Sequence, residues 1–114
     1  MKLDNKALIP CSPSSPVLIE DEINELLIEL NNWYLIPENS IQIISRRFTF
    51  KSYLSAIEFA NKVASLAEQE NHHPRICIEW GKVSVDWWTH SINGLFINDF
   101  IMAARCDQIF NEQK

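Results

Sequence analysis

The chain has 114 residues and a formal net charge of -5, a length suited to one domain and a charge that disfavours binding to phosphate backbones. Hydrophobic residues make up 46% of it, enough for a packed core, and no apolar run approaches the roughly 20 residues that a membrane helix needs. Residues 1–6 lack the long apolar region of a signal peptide, so we expect a cytoplasmic protein without direct contact to membranes or nucleic acids.

The N-terminal segment is predicted to be an extended arm over residues 1–18. Three of the five prolines lie within residues 10–16, and proline disfavours helix. From residue 19 a helical periodicity begins, with acidic side chains at 20–22, where the helix dipole favours anions. We therefore assign residues 19–114 to one domain, and its first helix stops near Asn31 and Asn32. The apolar face of this helix consists of Ile23, Leu26, Leu27 and Leu30.

Two strands and a longer helix follow. A short apolar strand is predicted over residues 33–36, a turn over 37–40 and a second strand over 41–50. Ser52 can cap the second helix, which runs to about Gln69. This helix carries more apolar surface than one sheet face would cover, so we expect oligomer formation through it. Its two apolar stripes are Tyr53, Ile57, Ala60, Ala64 and Ala67, and Phe59, Val63 and Leu66.

The C-terminal half is predicted to add a hairpin and a third helix. Pro74 ends the preceding helical region, strands over 76–80 and 82–88 turn about Gly81, and a helix spans roughly 96–111. The predicted order of elements is helix, strand, strand, helix, strand, strand, helix, with short connections. This order predicts an α+β fold, a four-stranded antiparallel sheet with three helices packed on one face. In the last strand, the residues expected to face the core are Val83, Val85 and Trp87.

All three histidines lie on the segments that follow the second helix and the last strand. Histidine is the side chain whose ordinary pKa lies near neutrality, which suits proton transfer or ligand binding. The consecutive His72 and His73 cannot point the same way, and His90 ends the last strand. Asp99 in the first turn of the third helix, or Glu68 one turn before His72, could orient an imidazole and stabilise its protonated form.

The pattern alone leaves three interpretations open. The histidines could perform acid/base or ligand-binding chemistry, could ligate a metal, or could be a turn pair and an unrelated strand-end residue. Adjacent histidines are awkward ligands for one tetrahedral ion, and no HxH, HExxH or CxxC spacing is present, so we expect no metal. Trp88 on the open sheet face could stack on a flat heteroaromatic ligand, although a core position is commoner for tryptophan.

An ordered set of seven residues runs through the second half of the chain: Glu68, His72, His73, Pro74, Trp80, His90 and Asp99. The set begins with an acidic residue that is followed, after three intervening positions, by His-His-Pro. An aromatic residue, a histidine and an aspartate come next in that order. It resembles the signature of the pterin-4a-carbinolamine dehydratase family, bacterial type. The likeness extends over about residues 17–110. The chain departs from many bacterial members at Phe96 and Ile97, where those carry a Ser and Glu capping pair.

The resemblance implies an activity as well as the fold already expected. Members dehydrate 4a-hydroxytetrahydropterin to quinonoid dihydropterin, which recycles the cofactor of aromatic amino-acid hydroxylases. The chemistry needs positioned acids and bases and neither a metal nor a cofactor of its own. Members are commonly dimers or tetramers, so the implied partners are a small-molecule pterin and further copies of the chain.

The resemblance also implies roles for individual residues. The implied site consists of catalytic His72, His90 and His73, of substrate-binding His73, Asp99 and Trp88, and of supporting Glu68. Within it, His72 and His90 would be the acid/base pair. Some members bind transcription factors and degenerate relatives assist assembly of other proteins. The alternative is therefore a non-catalytic module, a transcriptional coactivator or a protein-assembly factor on the same fold. The enzyme is favoured because a scaffold has no physical need for three titratable groups.

Overall fold

Three helices and four strands make up the fold in a computed structural model that describes residues 3–113. The helices are α1 Glu20–Ile28, α2 Tyr53–Glu70 and α3 Ile97–Gln113. The strands are β1 Tyr34–Glu38, β2 Ile41–Thr49, β3 Arg75–Glu79 and β4 Lys82–Trp87. They form one antiparallel sheet in the order β1–β2–β4–β3. The predicted α+β class and the predicted element order are confirmed.

The turn between β1 and β2 is shorter than predicted. Asn39 and Ser40 form it with positive φ angles of 51° and 65°, as in two-residue turns that match the twist of their strands. Pro37 and Glu38 continue β1 and pair with β2. The prediction of a turn over 37–40 is therefore wrong in its first half. β1 is an edge strand, and a proline is tolerated there because its missing N–H need not face another strand.

The central strand β4 places alternate residues against the helices, as the sequence predicts. Val83, Val85 and Trp87 are fully buried in one apolar core that β2, α2 and α3 share. Fully burying an aliphatic or aromatic side chain of this size is worth about 1.5–3 kcal/mol, so this layer dominates the stabilising terms. The other large, fully buried side chains of these elements are Ile44, Phe48, Phe59, Val63, Phe100, Ile101 and Met102.

Short-range hydrogen bonds close both ends of α2. The Oγ atom of Ser52 accepts a hydrogen bond from the backbone N–H of Ser55 at 3.1 Å, which is the cap predicted from the sequence. At the C-terminal end, Asn71 adopts the left-handed conformation with φ 51°, which asparagine tolerates better than most residues. The helix therefore ends at a defined residue, and the next residues leave it in a fixed direction.

The outer side of α2 keeps apolar side chains at the surface. Tyr53 is 49% exposed and Leu54 is 77% exposed, while the buried side of the helix packs into the core. Exposed apolar groups of this kind are compatible with a subunit contact. Oligomer formation through α2 stays a prediction.

The N-terminal segment lies against α3. Leu3 begins a short 3-10 turn, Leu3–Asn5, and its side chain is 3% exposed within the core. Residues 6–19 follow without helix or strand. Between residues 3 and 113, no helix has the length and apolar character needed to cross a membrane.

Candidate active site

Three imidazoles line one cleft of about 520 Å³. His72 and His73 reach it from the end of α2, and His90 reaches it from the 3-10 turn that follows β4. Residues 8–11 of the N-terminal segment form part of the same lining. The fold thus brings the three histidines together from two segments separated by a whole hairpin.

The left-handed Asn71 sends the two consecutive histidines in different directions. The backbone N–H groups of Asn71 and His72 return to the last turn of α2, to the carbonyl oxygens of Glu68 at 3.3 Å and Ala67 at 3.1 Å. His72 then turns inward with 14% of its side chain exposed, whereas 52% of the His73 side chain is exposed. The pair therefore supplies one inner and one outer imidazole.

A buried carboxylate holds the inner imidazole. Nε2 of His72 lies 2.7 Å from Oδ1 of Asp99, whose side chain is 0% exposed. The other oxygen, Oδ2, accepts hydrogen bonds from Oγ1 of Thr89 at 2.8 Å and from the backbone N–H of Phe96 at 3.0 Å. A carboxylate that already accepts two hydrogen bonds also accepts the third, so Nε2 donates and Nδ1 is the ring nitrogen left for a ligand. The ring of His72 stacks on Trp87, with centroids 5.3 Å apart.

The same carboxylate closes the N-terminal end of α3. Phe96 precedes the helix and has no side-chain oxygen that could cap it. Asp99, the third residue of α3, reaches back to the Phe96 N–H and supplies the reverse half of a capping box. The positive end of the helix dipole also favours an anion here. The departure at Phe96 and Ile97 is thus offset locally, and the cap fixes the carboxylate that holds His72.

The outer imidazole has an exposed partner. Nε2 of His73 lies 2.7 Å from Oε1 of Glu68, and 79% of the Glu68 side chain is exposed. Exposed pairs of this kind contribute little to stability, on the order of 0–1 kcal/mol. Glu68 therefore contacts His73, while Asp99 contacts His72.

The third imidazole rests on an aromatic ring. His90 stacks on Trp88 with ring centroids 4.5 Å apart and an interplanar angle of 18°. The Arg75 guanidinium lies 5.3 Å from the Trp88 ring centroid and bonds Glu38 and Asp86 across the open sheet face. The hydrogen bond from Arg75 lowers the pKa of Glu38 below its ordinary value. Trp88 is absent from the lining of the cleft as the structure describes it, and it supports His90 from behind.

A family model described as Pterin 4 alpha carbinolamine dehydratase matches residues 16–109. The chain belongs to this family. A protein of Chlorobium luteolum provisionally named pterin-4-alpha-carbinolamine dehydratase is 45% identical over 111 residues, which cover 97% of each chain. A Vibrio vulnificus protein with the same provisional name is 49% identical over 107 residues, which cover 94% of this chain and 97% of the relative.

Two solved structures of the pterin dehydratase fold superpose on this member of the family. A transcriptional coactivator/pterin dehydratase from Brucella melitensis has a TM-score of 0.75 and 34% identity over 82% of this chain and 98% of that one. A pterin dehydratase-like protein identified as a RuBisCO assembly factor in the alpha-carboxysome has a TM-score of 0.60 and 23% identity over 70% of this chain and 90% of that one. The second likeness shows the fold alone.

The structure adds residues to the histidine cleft that sequence reasoning missed. Thr89 and Asn98 line the cleft and are each 6% exposed. Thr89 could have been suspected, because it separates Trp88 from His90. Asn98 precedes the signature aspartate at a helix start, where its side chain could equally have served as a cap. Residues 8–11 carry no signal at all, since they lie outside the signature and far from it in sequence.

The ring nitrogens and carboxylates of the histidine cleft do not converge on a common point. Within residues 3–113, no group of three or more His, Cys, Asp or Glu side chains is arranged to hold a metal ion. His72 and His73 each direct one ring nitrogen to a different carboxylate instead of toward a common point.

Proposed function

We propose that this chain dehydrates 4a-hydroxytetrahydropterin to quinonoid dihydropterin and that His72 and His90 are its acid/base pair. The observation that carries the proposal is the single cleft that both imidazoles line, in a chain that belongs to the pterin 4 alpha carbinolamine dehydratase family. Positioned general acids and bases contribute about 10²–10⁴-fold to such reactions, and histidine matches neutral pH.

The reaction moves one proton off the pterin and one onto the leaving group. An imidazolium protonates the hydroxyl at the tetrahedral carbon, and the carbon–oxygen bond breaks as water departs. A ring-nitrogen lone pair forms the new carbon–nitrogen double bond, and the second imidazole takes the proton that this nitrogen loses. One imidazole thus ends deprotonated and the other protonated, so a proton exchange with solvent restores the pair.

The hydrogen bond from His72 to Asp99 supports this division of work. Since Nε2 donates to a buried carboxylate, the ring is held in one orientation and one tautomer. Nδ1 is then free to exchange a proton with the substrate. Asp99 acts through His72, and it also holds Thr89 on its other oxygen.

His73, Glu68 and Trp88 have secondary roles in this proposal. His73 binds the pterin and is oriented by Glu68, which lies 2.7 Å from it. Trp88 sets the plane of the His90 ring by stacking. Because His73 and Glu68 lie at the exposed side of the site, we expect them to influence substrate binding more than proton transfer, whereas Trp88 acts through the His90 ring.

Stopped-flow turnover of 4a-hydroxytetrahydropterin by the purified full-length chain tests the proposal. The expected result is a rate well above the spontaneous dehydration, retained after treatment with chelator. A wild-type protein that adds nothing to the spontaneous rate would reject the enzyme. The non-catalytic binding or assembly module would then take its place, with the open sheet face as the surface to probe.

A further inference from the structure

One side of the histidine cleft comes from residues that the signature does not include. Leu8, Ile9, Pro10 and Cys11, here called the arm wall, line the cleft together with the three imidazoles. Three of these four side chains are apolar, and Ile9 is 49% exposed. The family model begins its match at residue 16, so the arm wall lies before the region that the family model covers.

Asn98 fastens the arm wall with both of its polar groups. Its Oδ1 accepts a hydrogen bond from the Ile9 backbone N–H at 2.8 Å, and its Nδ2 donates to the Ile9 carbonyl oxygen at 2.7 Å. The side-chain amide thereby pairs with both backbone polar groups of one residue, as a residue of a neighbouring antiparallel strand would. Asn98 is only 6% exposed, and a buried amide that lost these partners would remain unsatisfied. The pairing therefore holds the wall at a defined position.

Two further contacts hold the segment on either side of the arm wall. Nη2 of Arg105 donates to the Lys6 carbonyl oxygen at 2.7 Å, while Nη1 of the same residue donates to Glu70 at 2.6 Å, at the end of α2. Beyond the wall, the Leu18 N–H donates to the Leu95 carbonyl oxygen at 2.9 Å. The segment is thus anchored before, within and after the cleft.

The N-terminal segment passes close to Gly94 after the arm wall. A Cβ atom on Gly94 would lie 2.7 Å from Cγ1 of Val17, so a larger residue there would force the segment to shift relative to the loop that carries His90. Asn98 and Asp99 are consecutive in the first turn of α3, where one holds the wall and the other holds His72. A single helical turn therefore sets both the apolar and the imidazole side of the cleft.

We propose that the arm wall is a substrate-contacting surface of the cleft and that Asn98 is its positioning residue. The proposal rests on the dehydratase function proposed above. The apolar wall packs against the flat pterin ring, while the imidazoles carry the protons. Contacts of this kind are equally strong before and during the reaction, so the wall governs affinity and substrate selection and leaves the chemical step unchanged.

Two variants and a control test the wall. Asn98→Ala removes both hydrogen bonds to Ile9, and Ile9→Ala removes apolar surface without changing those bonds. Each should raise KM about five- to tenfold and leave kcat within about twofold, as expected for lost uniform binding. Ser14→Ala is the matched control, since Ser14 is an exposed residue of the same segment outside the cleft lining, and its KM should equal that of the wild type.

A double variant separates a positioning role from a general structural one. If Asn98 acts through the wall, Asn98→Ala combined with Ile9→Ala should raise KM little more than the larger single change does. Hydrogen exchange at the Ile9 amide should accelerate in Asn98→Ala and stay unchanged in Ser14→Ala. Additive effects on KM, or a fall in kcat at unchanged KM, would overturn the positioning role, because Asn98 would then act through its neighbour Asp99.

Equilibrium binding of an unreactive dihydropterin, followed by tryptophan fluorescence, separates this inference from the proposed function. Asn98→Ala and Ile9→Ala should raise its Kd about five- to tenfold, in step with KM. If the wild type turns over substrate and the variants keep wild-type KM and Kd, the arm wall inference alone is rejected. If the variants weaken binding and no protein turns over, the wall stands as a pterin-binding surface and the dehydratase is rejected. A wild type that neither binds nor reacts rejects both.

Discussion

Two aspartates of α3 are withdrawn from solvent, about two helical turns apart, and their partners differ in kind. Asp99 is 0% exposed and holds His72, whose other ring nitrogen is left for the cleft. Asp107 is 20% exposed and accepts hydrogen bonds from Arg46 at 2.6 Å and from the Trp33 indole N–H at 2.9 Å. The first partner is an imidazole that lines the histidine cleft, whereas the second is a permanent cation and the third carries no charge.

The comparison shows that neither burial nor cleft size identifies a site by itself. A cleft of about 840 Å³ lies beside Asp107, and it is larger than the one lined by the histidines. Burial raises the pKa of Asp107, while Trp33 and Arg46 act against that rise. The Arg46 guanidinium also lies 4.3 Å from the Phe48 ring centroid, which ties the pair into the core. Asp107 therefore contacts an arginine and a tryptophan that pack in the core, whereas Asp99 contacts an imidazole of the histidine cleft.

The largest expected effect comes from removing the proposed acid/base groups. His72→Ala or His90→Ala should each lower the dehydration rate by about 10²–10⁴-fold, since a positioned imidazole is lost. Removing both should be worse than either, without simple addition, because the two act as a unit. Stopped-flow turnover measures the rates, and circular dichroism on the same preparations checks the fold. Near wild-type rates for both single variants would remove the histidines from the mechanism.

The two aspartates should separate in a matched pair of substitutions. Asp99→Asn replaces the carboxylate that fixes the orientation and tautomer of the His72 ring, so kcat should fall about 10²-fold. Asp107→Asn, on the same helix, should leave kcat within about twofold. The measurement is again turnover at saturating substrate. Equal losses in the two variants would show that helix integrity, and not the partner of each carboxylate, decides activity.

The free energy of unfolding should fall when residue 107 can no longer accept hydrogen bonds from Arg46 and Trp33. Asp107→Leu leaves the Arg46 guanidinium and the Trp33 indole N–H with no carboxylate, which should reduce the free energy of unfolding by about 2–4 kcal/mol. Asp107→Asn keeps an acceptor and should cost about 1 kcal/mol or less. Urea unfolding at pH 7 provides both values. If Asp107→Asn lost as much stability as Asp107→Leu, the negative charge of Asp107 would matter more than its ability to accept hydrogen bonds.

The smallest expected effect is a pH dependence of the free energy of unfolding that arises from Asp107. Because burial raises the pKa of Asp107, the folded state binds its proton more tightly than the unfolded state does. This contribution to the free energy of unfolding is fully present below the ordinary pKa of aspartate. It is lost as the pH rises through the raised pKa that Asp107 has in the folded protein. The wild type should therefore lose stability relative to Asp107→Asn as the pH increases from acid toward neutral. Urea midpoints of both proteins across this range measure it, and a gain in the wild type would reverse the assigned direction.

Much of the fold could be predicted because its signals are local. The Ser52 cap needs only the N–H groups of the next turn, and the alternation in β4 needs only one strand. The turn at 37–40 was wrong in part, because proline reads as a turn unless the strand that contains it is known to be at an edge.

The candidate site was likewise predictable only where its signals are local in the sequence. The spacing of Glu68, His72, His73, His90 and Asp99, with the resemblance it supports, was sufficient to name the candidate residues before any coordinates. Which carboxylate contacts which imidazole was not readable, because Glu68 is nearer in sequence to His72 and yet pairs with His73. The left-handed Asn71 decides this by turning His72 inward and His73 outward.

By itself, the sequence determined the order of elements, the Ser52 cap of α2 and the set of signature residues, since these depend on neighbours within a turn or a strand. Only the tertiary structure decided which groups meet across the cleft. The pairing of Asn98 with Ile9 joins residues 89 positions apart, and no periodicity or propensity reports a contact of that range. Such contacts exist because the core fixes α3 beside the N-terminal segment and because buried polar groups must find partners there.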